Sequence, residues 1–215
     1  MNLLRSVEAL LYEIVSWLVF YPLTLWRCIV RPVEMALYAE RELTDPPELQ
    51  FEGALSPPLF LFLTLLLAHG LQTAFGSSQA DLHGFLADER SGLLFRAVLF
   101  SLFPLLFAIR RVKQTGQDIT RSSLRPAFYG QCYIVVPFVL SAEAALVAFQ
   151  RSAISGGVIL LASTAWYLAS LTRWSTFHGV SGTAKAFAGA LATVLLALVG
   201  FLTIVLAVAF ALTRQ

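Results

Sequence analysis

Charge is scarce in this sequence. Asp, Glu, Lys and Arg together make up 13% of its 215 residues. A soluble domain is about a quarter charged. Too few charges remain to cover a water-facing surface, which excludes an ordinary soluble enzyme or binding module. Cysteine is nearly missing as well. Cys28 and Cys132 lie far apart in apolar surroundings, which excludes a disulfide framework and a metal-type spacing. No P-loop, Rossmann glycine pattern, HExxH or GxSxG occurs, and no short motif holds a nucleophile beside a base. The net charge of +2 is too small to attract nucleic acid. Neither an enzyme nor a cofactor is therefore expected. A cleavable leader is not expected either, since Arg5, Glu8 and Glu13 interrupt the first apolar residues.

What is present is apolar. Hydrophobic residues reach 58%, and the mean hydropathy is +0.75. Five stretches approach or exceed the roughly 20 residues needed to cross a hydrocarbon core about 30 Å thick. They are Pro57–Phe75, Leu93–Ile109, Phe128–Phe149, Ile154–Leu171 and Phe187–Leu212. Each is expected to be a helix, because a lone strand in lipid leaves its backbone polar groups unpaired. The predicted fold is an all-α, polytopic bundle of about five spans over residues 56–215. Residues 1–55 form a separate N-terminal region.

That region reads as an amphipathic helix followed by a polar link, Arg41–Ser56. Leu3, Leu4, Val7, Leu10, Leu11, Ile14, Val15 and Leu18 recur at helical steps, with Arg5, Glu8 and Glu13 off the stripe. Trp17, Tyr21 and Trp26 suit the headgroup zone, so the helix is expected to lie in the interface, ended or bent at Pro22. The rival reading is a sixth span from Ala9 to Trp26 that carries Glu13 into the bilayer.

The loops predict an orientation. Arg110, Arg111, Lys113, Arg121 and Arg125 face one Asp118 in the link after the second stretch, whereas the link before it holds Arg90 against Asp81, Asp88 and Glu89. Basic residues gather on the cytoplasmic side. A five-span chain then has its N-terminus in the cytoplasm and its C-terminus outside. A bacterial inner membrane is the expected location.

Three ionisable residues fall inside the spans: His69, Arg96 and Glu143. At 1.5 Å per residue, His69 lies about 3 Å, and the other two about 6 to 7 Å, beyond the middle of their spans toward the outside. They share one layer and form the candidate intramembrane polar site, for a proton, an ion or a lipid headgroup. The plainer alternative is an Arg96–Glu143 pair that only holds helices together. Pro104 and Pro137 are candidate helix kinks. Tyr129, Gln131, Cys132 and Tyr133 give the third stretch a polar start at the cytoplasmic face. Small residues, among them Gly156 and Gly157 and the step Ala186 to Ala190, mark close helix contacts within the chain or between copies.

Three features bring a family into view. FYPLTLWRCIVRP (Phe20–Pro32) precedes the first stretch, five apolar stretches follow, and a basic link leads into SLRPAFYGQCYIVVPF (Ser123–Phe138). This layout resembles the Yip family, polytopic proteins that in eukaryotes interact with Rab GTPases and shape Golgi and ER membranes. The resemblance implies a non-enzymatic protein that organises a membrane or a membrane complex as a homo-oligomer, with lipid or other membrane proteins as partners. It supplies no catalytic residues. The alternative function is a small permease, related in type to the permease-like bacterial members, with His69, Arg96 and Glu143 on its path.

Overall fold

A computed structural model describes residues 2–75, 89–179 and 182–213. Among them the chain is all-helical, in seven α-helices and one 3-10 turn. Helix α1 is Asn2–Val30, α2 is Pro32–Glu42 and α3 is Pro57–Phe75, with the 3-10 turn at Pro47–Leu49. Then come α4 (Glu89–Gln114), α5 (Arg121–Phe149), α6 (Ala153–Phe177) and α7 (Thr183–Thr213). Four stretches are long and apolar enough to cross a membrane: Leu11–Val30, Arg121–Phe149, Ala153–Phe177 and Thr183–Ile204. Pro57–Leu71 is apolar but shorter.

Helix α5 is the axis of the bundle. It packs against α1, α2, α3, α4 and α6, while α7 lies on α6 and α4. Thr120 explains where α5 begins. Its hydroxyl accepts from the Ser123 N–H, and Ser123 returns the bond to the Thr120 N–H, a reciprocal cap that satisfies two orphan donors. The helix therefore starts seven residues before the expected Phe128. Gln131, Cys132 and Tyr133 are consequently core residues, each 0% exposed, and not a polar edge. The Tyr133 hydroxyl donates to the Leu55 carbonyl at 2.6 Å, fixing the entry to α3. Around these residues Phe60, Ile134, Val135, Val136, Tyr167 and Leu171 fill the centre. Such aromatic packing adds specific ring contacts to the buried area.

The N-terminal region departs most from the sequence reading. Pro22 does not end α1, which runs through it to Val30. The break falls instead at Arg31 (φ −135°, ψ 59°), where the ring of Pro32 disfavours helical geometry in the residue before it and the chain leaves the helix. The last turns of α1 are tied to α3 and to the link before it. Tyr21 meets Thr64 of α3 at 3.0 Å, while Thr24 accepts from the Leu55 N–H at 3.3 Å and Arg27 donates to the Gly53 carbonyl at 3.0 Å, both in the link.

Helix α2 was not expected. It lays Met35, Ala36 and Ala39 against α5, all buried. A methyl group on Gly130 would stand 3.0 Å from the Ala36 carbonyl oxygen, so glycine permits the close approach. After α2, Phe51 takes a left-handed conformation (φ 62°) that is uncommon for a bulky residue. Its N–H bonds to the Glu42 carboxylate, and its ring lies against Tyr38 and Tyr129. Pro104 and Pro137 both sit inside continuous helices.

Candidate functional site

The expected polar layer is represented by Glu143. Its position on α5 is 4% exposed, although no ordinary core favours a carboxylate there. It lines a lateral groove of about 510 Å³. The remaining walls come from Ala68 and Leu71 of α3, Ala144, Val147 and Ala148 of α5, Arg151 in the link after α5, and Ser155 at the start of α6. His69 is half-buried, in the same turn of α3 as Ala68 and Leu71. Arg96 belongs to α4, but its side chain lies outside the described residues, and so does any contact it makes.

Arg151 and Ser155 are the additions to the layer. A guanidinium at the rim and a carboxylate at the base give the groove both signs of charge on an otherwise apolar wall. That arrangement can hold the polar end of an amphiphile. It offers no nucleophile, since the Ser155 hydroxyl donates back to the Ser152 carbonyl at 3.0 Å. Among the described residues, no group of three or more His, Cys, Asp and Glu could hold a metal ion. Arg151 escaped the sequence reading because it falls in the short link between two apolar stretches.

The opposite end of the bundle is tied by its basic residues. Arg110 donates to the Gly189 carbonyl and, at 2.7 Å, to the Thr193 hydroxyl, joining α4 to α7. Arg111 donates to the His178 carbonyl at 3.2 Å, at the end of α6. His178 caps the C-terminal end of α6, where a cation satisfies a carbonyl that has no helical partner. The step Ala186 to Ala190 is also spent inside the chain, both residues being 2% exposed. Deeper in, four side-chain atoms are buried without a hydrogen-bond partner among the described residues: both polar atoms of the Gln131 amide, the Tyr167 hydroxyl and the Trp174 indole N–H.

No protein-family model matches the chain, and neither a curated protein nor a solved structure matches it.

Proposed function

We propose that the chain is a non-enzymatic integral membrane protein that organises lipid or a membrane complex, in the manner of a Yip-like protein. The observation that carries this reading is the packed centre. Phe138 and Tyr167 stack at 4.6 Å between ring centroids, with Tyr133 and Phe60 close on α5 and α3. Cavities lie at Glu143, at the junction of α4 and α7, and between α1 and α2. The groove at Glu143 has mostly apolar walls, which suits a lipid partner.

The length and apolar character of Leu11–Val30 support a sixth crossing in place of an interfacial helix. Glu13 and Arg31 are about 27 Å apart along α1 at 1.5 Å per residue, close to the hydrocarbon thickness. Each charge then sits at an interface, and the burial of Glu13 that seemed to count against a span is avoided. Arg27 and Arg31 fall at the cytoplasmic end, as the basic-residue rule asks. On this reading both termini are outside a bacterial inner membrane.

The second reading, a small permease, draws its support from the buried Glu143 carboxylate. Reconstitution into proteoliposomes separates the two. A lipid-organising protein shows co-purified lipid, a defined oligomer and no flux of protons or small ions. Flux that disappears in Glu143→Gln establishes the permease instead.

A further inference from the structure

The elbow between α1 and α2 is a basic concave feature. Arg27 and Arg31 come from the end of α1, and Glu34 and Arg41 from α2. With Trp26 and Tyr38 they line a cavity of about 700 Å³. Its charged lining is three guanidinium groups against one carboxylate. The Arg31–Glu34 pair (3.2 Å) is 68% exposed on both sides, so it contributes little and yields readily to a stronger anion. Arg27 is positioned by its bond to the Gly53 carbonyl. Helix α2 begins at the elbow with no side chain capping its first N–H groups, which adds the positive end of a helix dipole.

Guanidinium groups lining one cavity suit a phosphate, whose oxygen pairs they bind. Two sources offer that chemistry, a lipid headgroup and a free phosphate. The surroundings select the lipid. Leu23, Trp26 and Val30 stand 39%, 65% and 53% exposed on the same end of α1, an apolar wall that a soluble phosphate has no use for. Tryptophan beside arginine is the usual company of a headgroup. We propose that the α1–α2 elbow is a binding site for an anionic phospholipid, its phosphate held by Arg27, Arg31 and Arg41 and its acyl chains lying along α1. This site rests on the proposed function only in taking lipid as the partner.

The test is native mass spectrometry of the full-length protein, with phosphatidylglycerol and phosphatidylethanolamine added at equal concentration. Phosphatidylglycerol is expected to bind roughly thirtyfold more tightly, a factor of about five for each of the two surplus charges. The triple change Arg27→Gln, Arg31→Gln, Arg41→Gln abolishes that preference. The change Lys113→Gln, at the other basic groove, keeps it. A preference that survives the triple change overturns the site. Inorganic phosphate and glycerol phosphate form the second arm. If either binds alone as tightly as the lipid and displaces it, the elbow is a soluble-phosphate site and the lipid assignment fails. Should the triple variant not fold, brominated phosphatidylglycerol decides through quenching of Trp26, read as wild type minus Trp26→Phe. Quenching no greater than with brominated phosphatidylethanolamine overturns the proposal. These outcomes leave the absence of flux untouched, and flux in proteoliposomes leaves the elbow untouched.

Discussion

Glu40 and His178, 138 residues apart in the chain, meet at 3.2 Å and join α2 to the end of α6. The other ring nitrogen of His178 faces the Trp174 carbonyl at 2.9 Å. The imidazole also lies 4.6 Å from the Trp174 ring. In a double-mutant cycle, Glu40→Gln and His178→Ala should each lower the melting temperature in detergent. The pair should show a coupling of about 1 kcal/mol, typical for interacting neighbours. Additive effects would mean that α2 is held by its apolar face alone.

The Tyr167 hydroxyl makes a sharper case. It is fully buried, with no hydrogen-bond partner among the described residues, while its ring stacks on Phe138. Removing the oxygen should relieve a desolvation cost, so Tyr167→Phe should keep or raise the melting temperature. Tyr167→Ala should cost about 3 to 5 kcal/mol through the cavity it leaves. A Phe variant as damaged as the Ala variant would show that the hydroxyl has a partner.

Glu143 gives a prediction about pairing. If Arg96 reaches the carboxylate, Glu143→Gln and Arg96→Gln should each destabilise, and the double change should be milder than their sum. Thermal unfolding of the four proteins in one detergent measures this. Strict additivity would remove Arg96 from the polar layer and leave Glu143 with Arg151 as its nearest basic candidate in the groove.

Orientation can be read by chemical labelling in intact cells. Cysteines at Asn2 and at Ser78 should react with an impermeant thiol reagent, and one at Gln117 should not. Cys28 and Cys132 are buried, which keeps the background low. Protection of the Asn2 position, with the other two as expected, would return α1 to the cytoplasmic interface and restore five spans.

Tyr38 sets an alkaline prediction. Burial, and secondly the charge of Glu42, push its phenol up to about 12 from an ordinary 10. A group whose folded value is raised stabilises the fold below the unfolded value, and that stability is lost as pH rises from 10 toward 12. The absorbance difference between wild type and Tyr38→Phe should therefore titrate near 12. The variant should also unfold less steeply with pH above 10. An inflection at 10 would place the phenol in water.

Much of the bundle was legible because lipid imposes a simple rule, long apolar helices. The five expected stretches fall on α3 to α7; among the described residues those on α5, α6 and α7 are long and apolar enough to cross a membrane, α3 keeps its expected bounds, and the ends of the others are displaced by caps and turns. Gln131 and Tyr133 were misplaced for that reason. The Thr120–Ser123 cap starts α5 early, so they lie about 15 Å and 18 Å along the helix from its first residue. Helix α2 was hidden by composition. Glu34, Glu40, Arg41 and Glu42 make it look like a link, and its buried face is only Pro32, Met35, Ala36 and Ala39, which leaves no strong apolar stripe. Glu143 stood out as an acid in an apolar run. The elbow did not, because its arginines lie on two helices whose meeting depends on a single bend at Arg31.

The seat of α2 has a consequence for the order of assembly. Its main neighbour is α5, and the contact at Gly130 lies far downstream of Glu42 in the chain. At about 5 to 20 residues per second of synthesis, roughly ten seconds separate the emergence of the two. During that interval the alanine face of α2 has nothing to rest on. The N-terminal third of the chain therefore waits at the membrane as an unfinished hairpin, and its final position is decided by a helix made later.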